Sequence, residues 1–164
     1  MPYVTPIRRA ELCKRLTGLI NTVKAECPDG ATPELISEVI SSLTTGIQSE
    51  DLPLQIRQSV DELSALVVSL GNNVGDYNYL ITSILDGFII GDKVSYGKIN
   101  TAIGIMDFVS YDIFPLVAFM DNIKDMISIR GVYRCVQLEL YRRLAGPYED
   151  TKVEENGDVY KDRE

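Results

Sequence analysis

Histidine is missing from all 164 residues. That removes the commonest general base and the commonest metal ligand together. A nucleophile–base constellation built on histidine is therefore excluded. The three cysteines, Cys13, Cys27 and Cys135, are odd in number and show no CxxC spacing. They read as reduced, mostly buried thiols of an intracellular protein rather than as a disulfide frame or a zinc site. No glycine-rich phosphate loop is present. Met1-Pro2-Tyr3 is not followed by the apolar core of a signal peptide. The most apolar stretch, Ile99 to Met120, is interrupted by Asp107, Asp112 and Pro115. It reads as a buried helix pair and not as a membrane span. The expectation is a soluble, cytoplasmic protein without a cofactor.

Bases are scarce where acids are dense. From Asp29 to Asp86 there are nine acids against Arg57 alone. The net charge is −8, which disfavours nonspecific contact with nucleic acid because phosphates need clustered Lys and Arg. Two basic segments bracket this acidic middle. One holds Arg8, Arg9, Lys14, Arg15 and Lys24, the other Arg130, Arg134, Arg142 and Arg143. Either they neutralise the middle inside a bundle or they gather around an anionic ligand.

What is present is helical periodicity. Leu12, Leu16, Leu19, Ile20 and Val23 recur at three- and four-residue steps after Pro6. Cys27-Pro28-Asp29-Gly30 ends that helix. Thr32-Pro33 opens a second, with Leu35, Val39, Ile40 and Leu43 as its face and Gly46 near its end. Asp51-Leu52-Pro53 opens a third, with Ile56, Val60, Leu63, Val67 and Leu70 on one side. Gly71 to Gly75 breaks it. A fourth helix covers about Asp76 to Ile89, with Asn78 as a plausible cap. Ser95 caps a fifth that runs to about Phe114, where Pro115 kinks it or opens another. The last runs to about Ala145 with a break near Gly131, and Gly146-Pro147 stops it. The predicted fold is an all-α, single-domain bundle of five to seven helices over residues 1–147. An acidic C-terminal tail, 148–164, comes after it, partly docked through Tyr148, Val159 and Tyr160. A weak internal echo aligns Gly104 with Gly131; duplication and chance explain it about equally, and close helix approach is the ordinary role for such glycines.

Three separated pieces carry a resemblance. They are Met1-Pro2-Tyr3-Val4 with Arg8-Arg9, then Tyr77 to Thr82 with Tyr96, Ile99 and Asn100, and then the run from Cys135 through Pro147-Tyr148-Glu149-Asp150 to Asn156-Gly157-Asp158-Val159-Tyr160. Together they resemble an uncharacterised family of short helical proteins of phages and bacteria. Members of that family begin Met-Pro-Tyr and end in a similar Tyr-Arg-Arg…Pro-Tyr-Glu-Asp…Asn-Gly-Asp-Val-Tyr run. This chain is longer than usual members. The resemblance implies a viral or mobile-element setting, with the host cytoplasm as compartment, and supplies no activity to carry over.

The candidate ligand-binding residues are Arg142, Arg143, Tyr141, Tyr148 and Asn78. Guanidinium groups bind phosphate bidentately and stack on bases, and the tyrosines add aromatic faces. The bland alternative is a surface ion pair of Glu139 with Arg143 at i, i+4, a cation-rich helix end and a capping asparagine. Paired acids, Glu34 with Glu38, Asp61-Glu62 and Asp121 with Asp125, are candidates for a metal, but they are scattered, and ordinary surface acids are the favoured explanation. The leading expectation is a non-enzymatic binding protein, expected to be a homo-oligomer, that captures a nucleotide-like anion such as a host defence signal. The alternatives are a protein–protein module acting on a host protein and a metal-dependent nucleotide pyrophosphohydrolase.

Overall fold

The computed structural model describes residues 4–47, 49–113 and 123–158. Over these it is all helix, arranged as six continuous rods in one bundle. The first is α1 (Pro6–Glu26), with Pro6 at a position whose N–H no helix needs. Its stripe of Leu12, Leu16, Leu19 and Val23 is buried. It lies against α3 (Leu54–Ser69), whose buried stripe is Ile56, Val60, Leu63 and Val67. These are the two faces that the periodicity predicts.

α2 (Pro33–Thr45) starts where Thr32 accepts from the Leu35 amide, at 3.2 Å. It ends at Gly46, whose φ of 70° needs a residue without a side chain. The sequence suggests one apolar face for it. The structure instead buries almost every residue from Ile36 to Thr45, and leaves Leu35 only half-buried. A helix covered on all sides must satisfy its own polar groups. Ser37 donates to Pro33 O, Thr44 to Ile40 O and Thr45 to Ser41 O. Since the Thr44 hydroxyl gives its single proton to the backbone, it accepts from the Tyr133 hydroxyl, which is fully buried beside it.

α4 (Val74–Leu85) is capped by Asn73, whose side chain accepts from the Gly75 amide at 2.8 Å. The expectation that Asn78 caps it is wrong. Asn78 lies one turn inside, because Gly71 and Asn72 already make the left-handed turn that ends α3 (φ of 98° and 53°). Leu80, Ile81, Ile84 and Leu85 put α4 in the core, touching α1, α2 and the last long helix. It runs on into a π-helical turn, Asp86–Ile90, closed by the Gly91 amide on Asp86 O at 2.8 Å. α5 (Tyr96–Phe108) is capped by Ser95 and also ends in a π turn, Val109–Ile113. Phe114 and Pro115 lie outside the described residues.

The last rod departs most from expectation. α6 (Ile123–Leu140) is unbroken at Gly131. It passes through a third π turn, Tyr141–Ala145, into α7 (Gly146–Asn156). Gly146-Pro147 therefore does not stop the helix. Gly146 is right-handed (φ −55°, ψ −57°). The wider π turn spares the Pro147 ring the usual clash with the carbonyl four residues back, and Pro147 falls in the first turn of α7. The predicted boundary at residue 147 is thus no break in the backbone. No residue of α7 is buried, although Tyr148 packs half-buried against the bundle. Val159 and Tyr160 lie outside the described residues. Among the described residues nothing lies within 4 Å of a Cβ built at Gly104 or Gly131, so neither serves a close helix approach there. Cys13 and Cys135 are exposed and Cys27 is half-buried, so the thiols are free as expected but not sequestered.

The packing sets two testable outcomes. A Cβ at Gly146 would meet only ordinary contact, 3.6 Å from Tyr141 O. Gly146→Ala should therefore stabilise the fold by about 0.5–1 kcal/mol, by removing chain freedom from the unfolded state. A lower melting temperature for that variant would show that the glycine is needed where it stands. Burial pushes the Tyr133 hydroxyl up to about 12. The unfolded chain loses that proton near pH 10, so stability is full below about pH 10 and drains away as the pH rises to about 12. Tyr133→Phe should cost about 1 kcal/mol at neutral pH. In alkaline denaturation between those two pH values its stability should fall less steeply than that of the parent.

Candidate functional site

A groove of about 440 Å³ opens where the start of α1 meets α4 and the π turn after α6. Its walls carry Arg9 and Val4 on one side and Glu139, Arg143 and Leu144 on another. The floor is a polar stripe of α4. Asn78, Thr82 and Asp86 succeed one another at i, i+4, i+8, with Tyr79 and Ser83 beside them. This stripe lies opposite the buried Leu80, Ile81 and Ile84, which is why the most core-bound helix still presents hydroxyls and an amide. Two of the three π turns border the groove, contributing Asp86 and Ile90 from one and Arg143 and Leu144 from the other. A π turn adds one residue to a helix turn and so re-aims the side chains after it.

Arg9 is placed by its neighbour. Arg8 donates from Nε to both carboxylate oxygens of Asp76, at 2.8 and 2.9 Å, and from Nη2 to Asp76 and to Leu70 O. Asp76 is almost wholly buried in the first turn of α4, where an acid also suits the helix dipole. Its hydrogen bonds hold the Arg8 guanidinium above its ordinary range, against partial burial. With α1 fixed there, the Arg9 guanidinium sits over the Tyr79 ring, 5.7 Å from its centre. The Tyr79 hydroxyl meets Cys13 Sγ at 3.3 Å. Burial, with Cys13 adding to it, pushes that hydroxyl up, so Tyr79 stays neutral in ordinary buffers.

On the opposite wall Glu139 receives Arg142 at 3.0 Å and Arg143 at 2.5 Å. It is held below the usual carboxylate range, chiefly by the Arg142 donors and then by Arg143, against partial burial. Glu139 takes the Arg143 Nε, while the Arg143 side chain also lines the groove. No Asp or Glu lies within ion-pair distance of Arg9 among the described residues.

The five predicted site residues do not converge. Asn78 and Arg143 line the groove. Arg142 pairs with Glu139 but is not among the lining residues. The Tyr141 hydroxyl donates to Glu149 at 3.1 Å from an exposed ring. Tyr148 packs at 6.1 Å on Tyr96, with Lys152 over it. Neighbours on one helix point in different directions around it, so that Arg143 lines the groove while Arg142 does not, although both reach Glu139. Sequence reasoning missed Thr82, Ser83 and Asp86, and did not single out Arg9 or Tyr79 as site residues. The usable signal is the polar i, i+4 stripe running along the otherwise apolar α4.

The two basic segments pair differently. In the first, Arg8 and Arg15 reach into the acidic middle, to Asp76 and Glu62. In the second, Arg142 and Arg143 pair locally instead. Among the described residues no three Asp, Glu or Cys side chains converge as a metal site would require. Asp121, and the side chain of Asp125, lie outside what is described.

Among known families, the model of a domain of unknown function, DUF6899, matches residues 120–159. That stretch covers α6, its π turn and α7, and so one wall of the groove. No curated protein matches the chain. No solved structure matches it either. No helix among the described residues is long and apolar enough to cross a membrane.

Replacing Arg8 by Met would leave the Asp76 carboxylate buried and unpaired. The single variant should melt lower by on the order of 10 °C, and Arg8→Met combined with Asp76→Leu should recover much of that loss. Equal melting points for the single and double variants would show that the pair does not couple α1 to α4.

Proposed function

We propose that this protein is a non-enzymatic binding protein that sequesters a small nucleotide-like anion in the groove between α1, α4 and α6. The observation that carries this is that Arg9 and Arg143 line two walls of one groove, with Glu139 holding Arg143 and Asp86 on the floor. Arg9 is without an ion-pair partner among the described residues, and it is stacked on a tyrosine. Guanidinium groups suit phosphate oxygens, and their planar faces suit a base. Thr82 and Asn78 also line the groove; the Thr82 hydroxyl donates to the Asn78 amide oxygen at 3.4 Å and keeps acceptor capacity for a sugar hydroxyl. A volume of about 440 Å³ is in the range of small-ligand sites. Without histidine, a catalytic loop or a converging acid cluster among the described residues, the chemistry favours holding a ligand over turning it over. The resemblance to a phage and bacterial family supports reading this in a host-cytoplasm setting, with a defence signal as the ligand to remove.

A second reading, a module that acts on a host protein, draws on the exposed apolar side chains Phe108, Tyr111 and Leu138.

The test is titration of the purified chain by calorimetry with pyrophosphate, mononucleotides and dinucleotides. Binding of at least one nucleotide is expected, with Arg9→Ala and Arg143→Ala each weakening it tenfold or more. Arg142→Ala, off the groove, should change it by less than threefold. Equal losses in Arg142→Ala and Arg143→Ala would move the site onto the outer face of the π turn. No binding by any of these ligands would remove the capture reading.

A further inference from the structure

The solvent side of the last rod is unlike an ordinary wet surface. Ile127, Gly131, Arg134, Leu138 and Tyr141 succeed one another at steps of four, three, four and three, and all are exposed. Ile127 is 67% exposed and Leu138 54%. This is the spacing of a coiled-coil seam, on the side opposite the buried Val132, Val136 and Leu140. Arginine and tyrosine at such a seam are the side chains that interfaces favour. In sequence α6 holds Lys124, Arg130 and Arg134 against Asp125 and Glu139, so it is basic by one charge, and its exposed seam side carries Arg134 with Arg130 beside it.

Beyond Arg142 and Arg143 in the π turn, the sign reverses. α7 carries Glu149, Asp150, Glu154 and Glu155 against Lys152 alone. It buries none of its residues, and its one valine, Val153, is 40% exposed. It continues the α6 rod without a gap, and Tyr148 is the residue through which it packs on the bundle.

We infer that the partner covering this rod is a second copy of this chain, lying antiparallel along it. In that arrangement the basic, apolar-seamed α6 of one protomer faces the acidic α7 of the other, twice over, related by a two-fold axis. The contact is isologous and closes on itself, so it makes a dimer rather than a filament. Charge complementarity selects the antiparallel pairing: parallel rods would set Arg130 and Arg134 against their own copies, and acid against acid. The rod is about 50 Å long at the usual rise per residue, ample for a stable pair. The inference does not depend on what the groove binds.

Sedimentation equilibrium on the full chain tests it. The parent should be dimeric at micromolar concentration and dissociate as salt is raised. Arg130→Glu with Arg134→Glu should weaken the dimer at least tenfold, and so should Glu154→Lys with Glu155→Lys. An equimolar mixture of these two variants restores both complementary contacts and should recover the dimer. Leu138→Glu should also give monomer, with helix content by circular dichroism matching the parent in every variant. A parent that is monomeric at all concentrations would overturn the inference and leave the seam to a different partner. So would an assembly that neither charge set disturbs, or a mixture that stays monomeric.

Discussion

A carboxylate buried in the first turn of α4 constrains everything around it. Asp76 is almost wholly removed from water, and a charge so placed needs a partner with good geometry. Arg8 supplies that partner, and its remaining donor closes on Leu70 O at the end of α3. One side chain thus joins α1, the α3–α4 turn and α4. Because Arg8 is held, Arg9 is held beside it, over Tyr79 and on the wall of the groove. The floor of the groove is α4 itself, whose other face is the centre of the core. Core packing and groove geometry are consequently fixed by the same helix.

The second device is the π turn. Each occurs where one α segment ends, at Asp86–Ile90, Val109–Ile113 and Tyr141–Ala145. Each gives up regular hydrogen bonding for one turn to change the phase of the side chains beyond it. At the third, the change lets a helix pass through Gly146-Pro147 and carries an acidic segment onward as α7. Of this turn's two arginines, Arg143 lines the groove while Arg142 does not. Two of the three turns border the groove, which fits the tendency of such turns to lie where side chains must be re-aimed.

Much of the bundle is legible in the sequence because local rules and burial agree there. Thr32-Pro33, Gly46, Gly71-Asn72 and Ser95 mark helix ends through backbone chemistry that needs no tertiary partner. The stripes on α1 and α3 mark their buried faces. The site is less legible. Asn78 reads as a cap because capping residues and interior asparagines look alike until the preceding turn is known. Tyr141, Arg142, Arg143 and Tyr148 form a group in sequence, but helical neighbours diverge in direction. Arg9 and Tyr79 are seventy residues apart and meet only when α1 folds onto α4.

The amino-acid sequence alone determined the all-α class, most helix ends and the faces of α1 and α3. Those properties come from period, capping and turn chemistry within a few residues. Only the tertiary structure decided that α2 is covered on all sides, that Asp76 is buried, and that the last helix continues through Gly146-Pro147. It alone brought Arg9 and Arg143 to one groove. Burial and long-range ion pairing depend on which surfaces meet, and no local pattern specifies that.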